Sequence, residues 1–190
     1  MENERKSGFG AFVKAVIVLV LLSAIAYVGF KTYQKLPVIT FVNNLAQAFN
    51  AQDMDKLSNC FTPDSKVKKV IDTANKVADI PILGQIAGGI ASLIGSSINY
   101  EVDYSDTRIT VNGDSSQAVI GVINKNNNDE KEYLTLDMRK INEQWYASAL
   151  PSVKPASGTD LSYSNSIQGY AERASDNLAL WIFSLGNKNQ

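Results

Sequence analysis

Chemistry in this chain has few side chains to work with. Its 190 residues include no His and a single Cys. That removes Ser/His and Cys/His nucleophile pairs and His-ligated metal centres together. Cys60 has no second Cys to pair with, so it cannot staple the fold internally. Acidic residues are the remaining candidates. Asp53 and Asp55 in DMDKLSN alternate like the first ligands of a calcium loop, but the central Gly and distal Glu of such a loop are missing. Asp53 instead stands where an N-cap precedes a short helix. The run NNNDE, Asn126 to Glu130, reads as a solvated hairpin loop, and Ser and Gly fall in no phosphate-cradling or nucleophile-elbow spacing. No metal and no cofactor is expected.

Charge narrows the partners. A net charge of −1 argues against nucleic acid bound through a broad basic surface. Lys66, Lys68, Lys69 and Lys76 lie together but read as a solvated helix face. With 45% hydrophobic and 19% charged residues, the chain can bury a core.

One segment is too apolar for that core. Ala15 to Phe30 reads AVIVLVLLSAIAYVGF, uncharged, and the apolar character reaches back past Lys14 to Phe12. As a helix, residues 12–30 would span about 28 Å, close to the hydrocarbon thickness of a bilayer. Val16, Leu19 and Leu22 would face lipid, and Tyr27 and Phe30 would sit at the far interface. Residues 1–11 then form a short leader. Arg5, Lys6 and Lys14 before the segment, against Lys31 and Lys35 after it, favour a cytoplasmic N-terminus and an extracytoplasmic remainder at the cell membrane. Ala24-Ile25-Ala26 has the small residues of a signal-peptide cleavage site, but the apolar run continues to Phe30.

The elements beyond the membrane segment follow from periodicity. After Pro37, the residues Val38, Phe41, Val42, Leu45, Ala48 and Phe49 share one helical face. Asp53 caps a second helix that buries Met54, Leu57 and Phe61. Thr62 and Pro63 are expected to start a third, with Val67, Val70, Ile71, Ala74 and Val77 as its stripe. The Gly-rich segment 80–98 is apolar, too short to span a membrane, and reads as a core helix or a membrane-lying element.

At Ile98 the period changes to two. Ile98, Tyr100, Val102 and Tyr104 share one face of a strand, with Asp103 on the other, and the parity flips by Ile109, which predicts a bulge near Ser105 to Thr107. Asn112-Gly113 predicts a tight turn, and residues 117–123 form a central strand. A third strand turns its expected inward pair, Leu136 and Met138, together with Leu134 to one side, and Ile141 to Gln144 turn into a last strand at 145–150. The expectation is α+β: a transmembrane helix, then helices packed on a curved antiparallel sheet of about four strands, a linker over 151–163, and a C-terminal helix over 164–186. That last helix is apolar over a wide arc around Trp181, Ile182 and Phe183 and should dock on the domain or a partner.

Residues 37–150 resemble the nuclear transport factor 2-like, or cystatin-like cone, superfamily. The resemblance rests on AQAFNAQDMDKLSNCFTPD and on RITVNGDSSQAVIGVINKNNNDEKEYLTLDMRKINEQWYASAL, with Gly113-Asp114 at a turn, Ala118 entering the central strand and Trp145 opening the last one. It implies helices folded over a curved sheet. Enzymes of the superfamily place an Asp or His with Tyr inside the cone. Tyr100, Tyr104 and Asp103 are of the right type, but strand parity sets the tyrosines and Asp103 on opposite faces. Membrane-anchored members include assembly factors of bacterial secretion and conjugation machines.

The expected function is a tethered, non-catalytic binding or assembly module for a protein partner or a small apolar ligand. A pocket lined by Tyr100, Tyr104, Leu134, Leu136 and Trp145 would indicate a ligand, and a filled cone would indicate protein contacts. Two alternatives stay open: a membrane-active protein using 80–98 and 178–185, and an isomerase- or cyclase-type enzyme. Edge strands and the apolar last helix leave room for a homodimer.

Overall fold

The computed structural model describes residues 4–51, 53–76, 100–125, 130–155 and 161–187. The segment 80–98, the tip of the 126–129 loop and part of the linker at 156–160 lie outside them. Helix α1 runs from Glu4 to Asn50 without a break. Its residues 12–30 pack on nothing: Val16, Leu19, Leu22, Tyr27 and Phe30 are all exposed. It is the one helix among the described residues long and apolar enough to cross a membrane, with a mean hydropathy of 2.4 in its apolar window.

The expected restart after Pro37 is corrected, because Pro37 lies inside α1. A proline in a helix interior loses one hydrogen bond and crowds the preceding turn. Burial on both sides of it holds the helix through. Thr32 and Lys35 are buried on the turn before, and Val38, Ile39, Val42, Leu45 and Ala48 are buried after it. Those last residues are largely the face that the periodicity marked.

Helix α2 (Met54–Asn59) is capped as expected: the Asp53 carboxylate accepts from the Lys56 amide at 3.0 Å. Helix α3 (Lys66–Lys76) starts later than Thr62-Pro63 predicted. Its cap is Ser65, whose hydroxyl accepts from the Lys68 amide at 3.0 Å. Thr62 lies one turn earlier, where its carbonyl accepts from the Ser65 amide at 2.9 Å and its own N–H donates to the Ala147 carbonyl at 3.1 Å, tying the α2–α3 connection to the sheet.

The sheet has five antiparallel strands: β1 (Tyr100–Asn112), β2 (Ser115–Asn124), β3 (Glu130–Ile141), β4 (Gln144–Ala147) and β5 (Ser152–Pro155). The first four are neighbours in chain order, and β5 shares the free side of β3 with β4. The predicted irregularity is present, as the β1–β2 register shifts between Asp103 and Thr107. The bulged backbone arches over Gly121, where a Cβ would stand 3.0 Å from the Asp106 carbonyl oxygen and 3.3 Å from that of Asp103.

Two sheet expectations need correction. Asn112 pairs with Ser115, so the turn is Gly113-Asp114, one residue later than Asn112-Gly113. The last strand also ends at Ala147, and the chain resumes pairing at Ser152–Pro155, inside the segment expected to be linker. A bond from the Ser148 amide to the Asp137 carbonyl, at 2.9 Å, steers the chain across this bend. Pro155 is tolerated because β5 is an edge strand.

The inner sheet face carries Ile109, Val111, Ala118, Ile120, Val122, Leu136, Met138, Trp145 and Ala147, packed in one core with α1, Leu57, Phe61 and Ile71. Helix α4 (Ile167–Asn187) begins three residues later than the expected Ser164, capped by the Ser166 hydroxyl, which accepts from the Gly169 amide at 3.1 Å. It docks on α1: Lys31 meets Glu172 and Lys35 meets Asp176. One turn forward on α1 matches one turn forward on α4, so the two helices run in the same direction.

Candidate functional site

Two of the expected pocket residues are taken up by the core. Leu136 is fully buried in the core and Leu134 packs against it. The side chains of Tyr100 and Tyr104 lie outside the described residues, although their backbones are in β1. Of the expected lining residues, Trp145 borders an open cavity.

That cavity is a groove of about 1040 Å³ on the helix side of the domain. One wall is the outward face of α1 at Pro37, Thr40, Phe41, Asn44 and Gln47, and the opposite wall is the β3–β4 turn with Gln144, Trp145 and Tyr146. Cys60, Phe61 and Asn59, after and at the end of α2, form the floor between them. Phe61 and Trp145 are buried from below by the core, so they are fixed in place, while Phe41 and Tyr146 are half-buried at its edge.

The turn that builds the second wall is unusual. Asn142 and Glu143 both adopt positive φ, 49° and 66°. Two successive positive φ values match the twist of a tight hairpin, and Asn tolerates this region far better than Glu. Lys140, which is ion-paired with Glu143, stands beside the strained residue.

Chemically, the groove is aromatic below and amide-rimmed above. The Tyr146 hydroxyl donates to the Gln144 amide oxygen at 2.8 Å. The Lys68 ammonium donates to the Ser58 hydroxyl at 2.8 Å, and Lys56 pairs with Asp53 at 2.9 Å. Burial pushes the Cys60 thiol up to about 11, so it stays protonated and poorly nucleophilic at neutral pH.

A second polar constellation sits on the outer sheet face, which the sequence reading passed over. The bulge brings Asp103 and Asp106 to Lys131, whose ammonium lies 2.9 Å and 2.7 Å from the two carboxylates. The Tyr133 hydroxyl donates to Asp106. The hydrogen bond from Lys131, aided by that of Tyr133, holds the Asp106 carboxyl below its ordinary range, and the same Asp106 bond raises Tyr133. Those shifts leave Asp106 a poor base and Tyr133 a poor acid. The only advance signal was the predicted bulge, since a bulge re-aims side chains.

The third constellation is buried between α1 and α4. Lys35 donates to Asp176 at 2.6 Å, to the Ser175 hydroxyl at 2.8 Å and to Glu172 at 3.0 Å. The Tyr163 hydroxyl donates to the other Asp176 oxygen at 2.6 Å, and the Arg108 guanidinium stacks over the Tyr163 ring at 5.0 Å. Burial raises the Asp176 pKa, with Lys35 and Tyr163 pulling the other way.

No family model matches the chain. No curated protein matches it either. Among solved structures it is similar to a protein of unknown function with a cystatin-like fold from Nostoc punctiforme, with 15% identity, a TM-score of 0.43, and coverage of 64% of this chain and 92% of that one. It is also similar to a protein of unknown function from Mycobacterium tuberculosis, with 12% identity, a TM-score of 0.39, and coverage of 76% of this chain and 87% of that one.

Proposed function

We propose that the chain is a membrane-tethered, extracytoplasmic binding module that has no catalytic role, and that its groove takes an extended segment of a protein partner. One observation carries this reading. Helix α1 continues from the exposed apolar residues 12–30 into the core, and the outward face of the same helix is a wall of the groove. Pro37 follows Phe30 by seven residues, a rise of about 10 Å, so the groove opens just above the membrane surface. An unbroken helix fixes its height and direction, which a flexible linker would not.

A groove open to solvent favours protein contacts over an enclosed small ligand. An extended peptide suits a groove in which aromatic side chains offer apolar contact and Asn44, Gln47, Asn59 and Gln144 offer amide groups to a backbone. The protonated Cys60 and the mutually neutralised Asp106, Lys131 and Tyr133 support a non-catalytic role. The resemblance of residues 37–150 makes a bacterial envelope or secretion machine the natural setting.

Alkaline carbonate extraction tests the tether. The full chain should stay in the pellet, and a chain starting at Lys31 should not; release of the full chain would refute the tether. Native mass spectrometry of the full chain from nanodiscs tests the occupant. A mass made up of whole chains and nothing else is expected, whereas an extra mass of a few hundred daltons lost on denaturing would replace the protein partner with a small ligand.

A further inference from the structure

We propose that α4 pairs with the α4 of a second copy of this chain as a parallel two-stranded coiled coil. The face of α4 turned away from α1 carries Ile167, Ala171, Ala174, Leu178 and Trp181, separated by alternating steps of four and three residues. That alternation is the heptad seam, which calls for a helix as its occupant and not a flat surface or a pocket. Ile167 is 90% exposed, Leu178 36% and Trp181 58%. The opposite face is already committed, with Ser175, Asp176 and Ala179 fully buried. Docking on α1 therefore holds α4 helical before any partner arrives, so a seam of two heptads need not pay for helix formation.

The flanks select the partner. The exposed residues beside the seam are Gln168 and Ile182 on one side, where Ser175 between them turns toward α1, and Tyr170, Asn177 and Ser184 on the other, none of them charged. Two identical helices can therefore lie side by side in register with no like charges opposed. Ala171 and Ala174 at mid-seam permit close approach, and the larger Ile167, Leu178 and Trp181 fill the ends. Direction follows from the tether, and here the inference rests on the proposed membrane reading. Copies in one membrane all point the same way, and α4 runs with α1, so two copies present parallel seams at the same height.

Disulfide trapping in the full chain tests this. In a Cys60→Ser background, Ile167→Cys, Ala174→Cys and Trp181→Cys are each oxidised with copper–phenanthroline in native membranes, with Arg173→Cys as the off-seam control. A parallel in-register pair gives a species of twice the chain mass at all three seam positions and none at Arg173→Cys. No dimer at any seam position, dimer at Ala174→Cys alone, or an adduct of another mass overturns the proposal. Carbonate extraction of the same membranes reads the tether separately, so a retained but uncrosslinked chain refutes pairing and leaves the tether standing. As a check independent of introduced cysteines, native mass spectrometry of the unmodified chain should show a dimer. The pair Leu178→Glu and Trp181→Glu should show a monomer with unchanged circular dichroism, and a monomeric unmodified chain would likewise overturn pairing.

Discussion

Replacing Lys35 by Ala should loosen α4 from α1 far more than its place beside an apolar segment suggests. The Lys35 side chain is 1% exposed and that of Asp176 2%, with 2.6 Å between ammonium and carboxylate. The substitution leaves a buried carboxylate facing a cavity, with the Tyr163 hydroxyl as its remaining donor. Removing one partner of a buried pair costs about 3–5 kcal/mol, against about 0–1 kcal/mol for an exposed pair such as Lys125–Glu101. At about 1.4 kcal/mol per factor of ten, amide exchange through α4 undocking should speed up by about two to three and a half orders of magnitude. The assay is hydrogen exchange of residues 167–187 in the full chain in nanodiscs, with Lys125→Ala as the control. Replacing both partners by apolar residues, Lys35→Met with Asp176→Leu, should recover most of the loss, because no buried charge is left alone. An acceleration below about threefold in Lys35→Ala, or no recovery in the double variant, would refute the reasoning. Acidity gives a second readout. The folded-state pKa of Asp176 is raised above its ordinary 3.8, so its contribution to stability is fully present below 3.8 and is lost as pH rises through the raised value. Asp176→Asn should remove that component of the pH dependence.

Gly121→Ala should lower stability by about 1–3 kcal/mol, read as a fall in melting temperature, because the new methyl meets backbone carbonyls that cannot rotate away. Cys60 should alkylate about a hundredfold more slowly at pH 7 than a thiol with a pKa of 9.0, since its thiolate is scarcer in proportion, and its rate should keep rising past pH 9; a rate equal to that of a free thiol would contradict the burial. Tyr133→Phe should cost about 1 kcal/mol and move the Asp106 titration upward, toward 3.8. Because the depressed Asp106 stabilises the fold above 3.8 and loses that effect as pH falls through its lowered folded-state value, the variant should lose the contribution at a higher pH, which carboxyl NMR can follow.

Local signals were legible in the sequence, and meetings between distant segments were not. The Asp53 cap, the buried face of α1 after Pro37, the bulge before Thr107 and the two-sided apolar β2 follow from spacing alone. Pro37 misled because local cost was set against tertiary burial that the pattern could not weigh. Thr62-Pro63 misled because the chain makes a separate turn there, closed by the Ser65 amide on the Thr62 carbonyl, before Ser65 caps the helix. Lys35 read as a charge flanking the apolar segment, yet its partner lies 141 residues away. The groove was missed for a related reason. Alternation and helical stripes reveal the faces that are buried, whereas the groove is made from outward residues of α1 and a turn whose positive φ values no glycine announces.

The central claim is that the outward face of the membrane-anchored helix receives a partner's peptide segment. Site-specific photocrosslinking of the full chain in its native membrane tests it most directly, with the probe at Asn44 in the groove and, as control, at Thr73 on the exposed side of α3. A single crosslinked protein of defined mass at position 44, absent at position 73 and lost when Phe41→Asp is added, is the predicted result. Equal crosslinking at both positions, or none at position 44 while the chain remains in the membrane, would contradict the account.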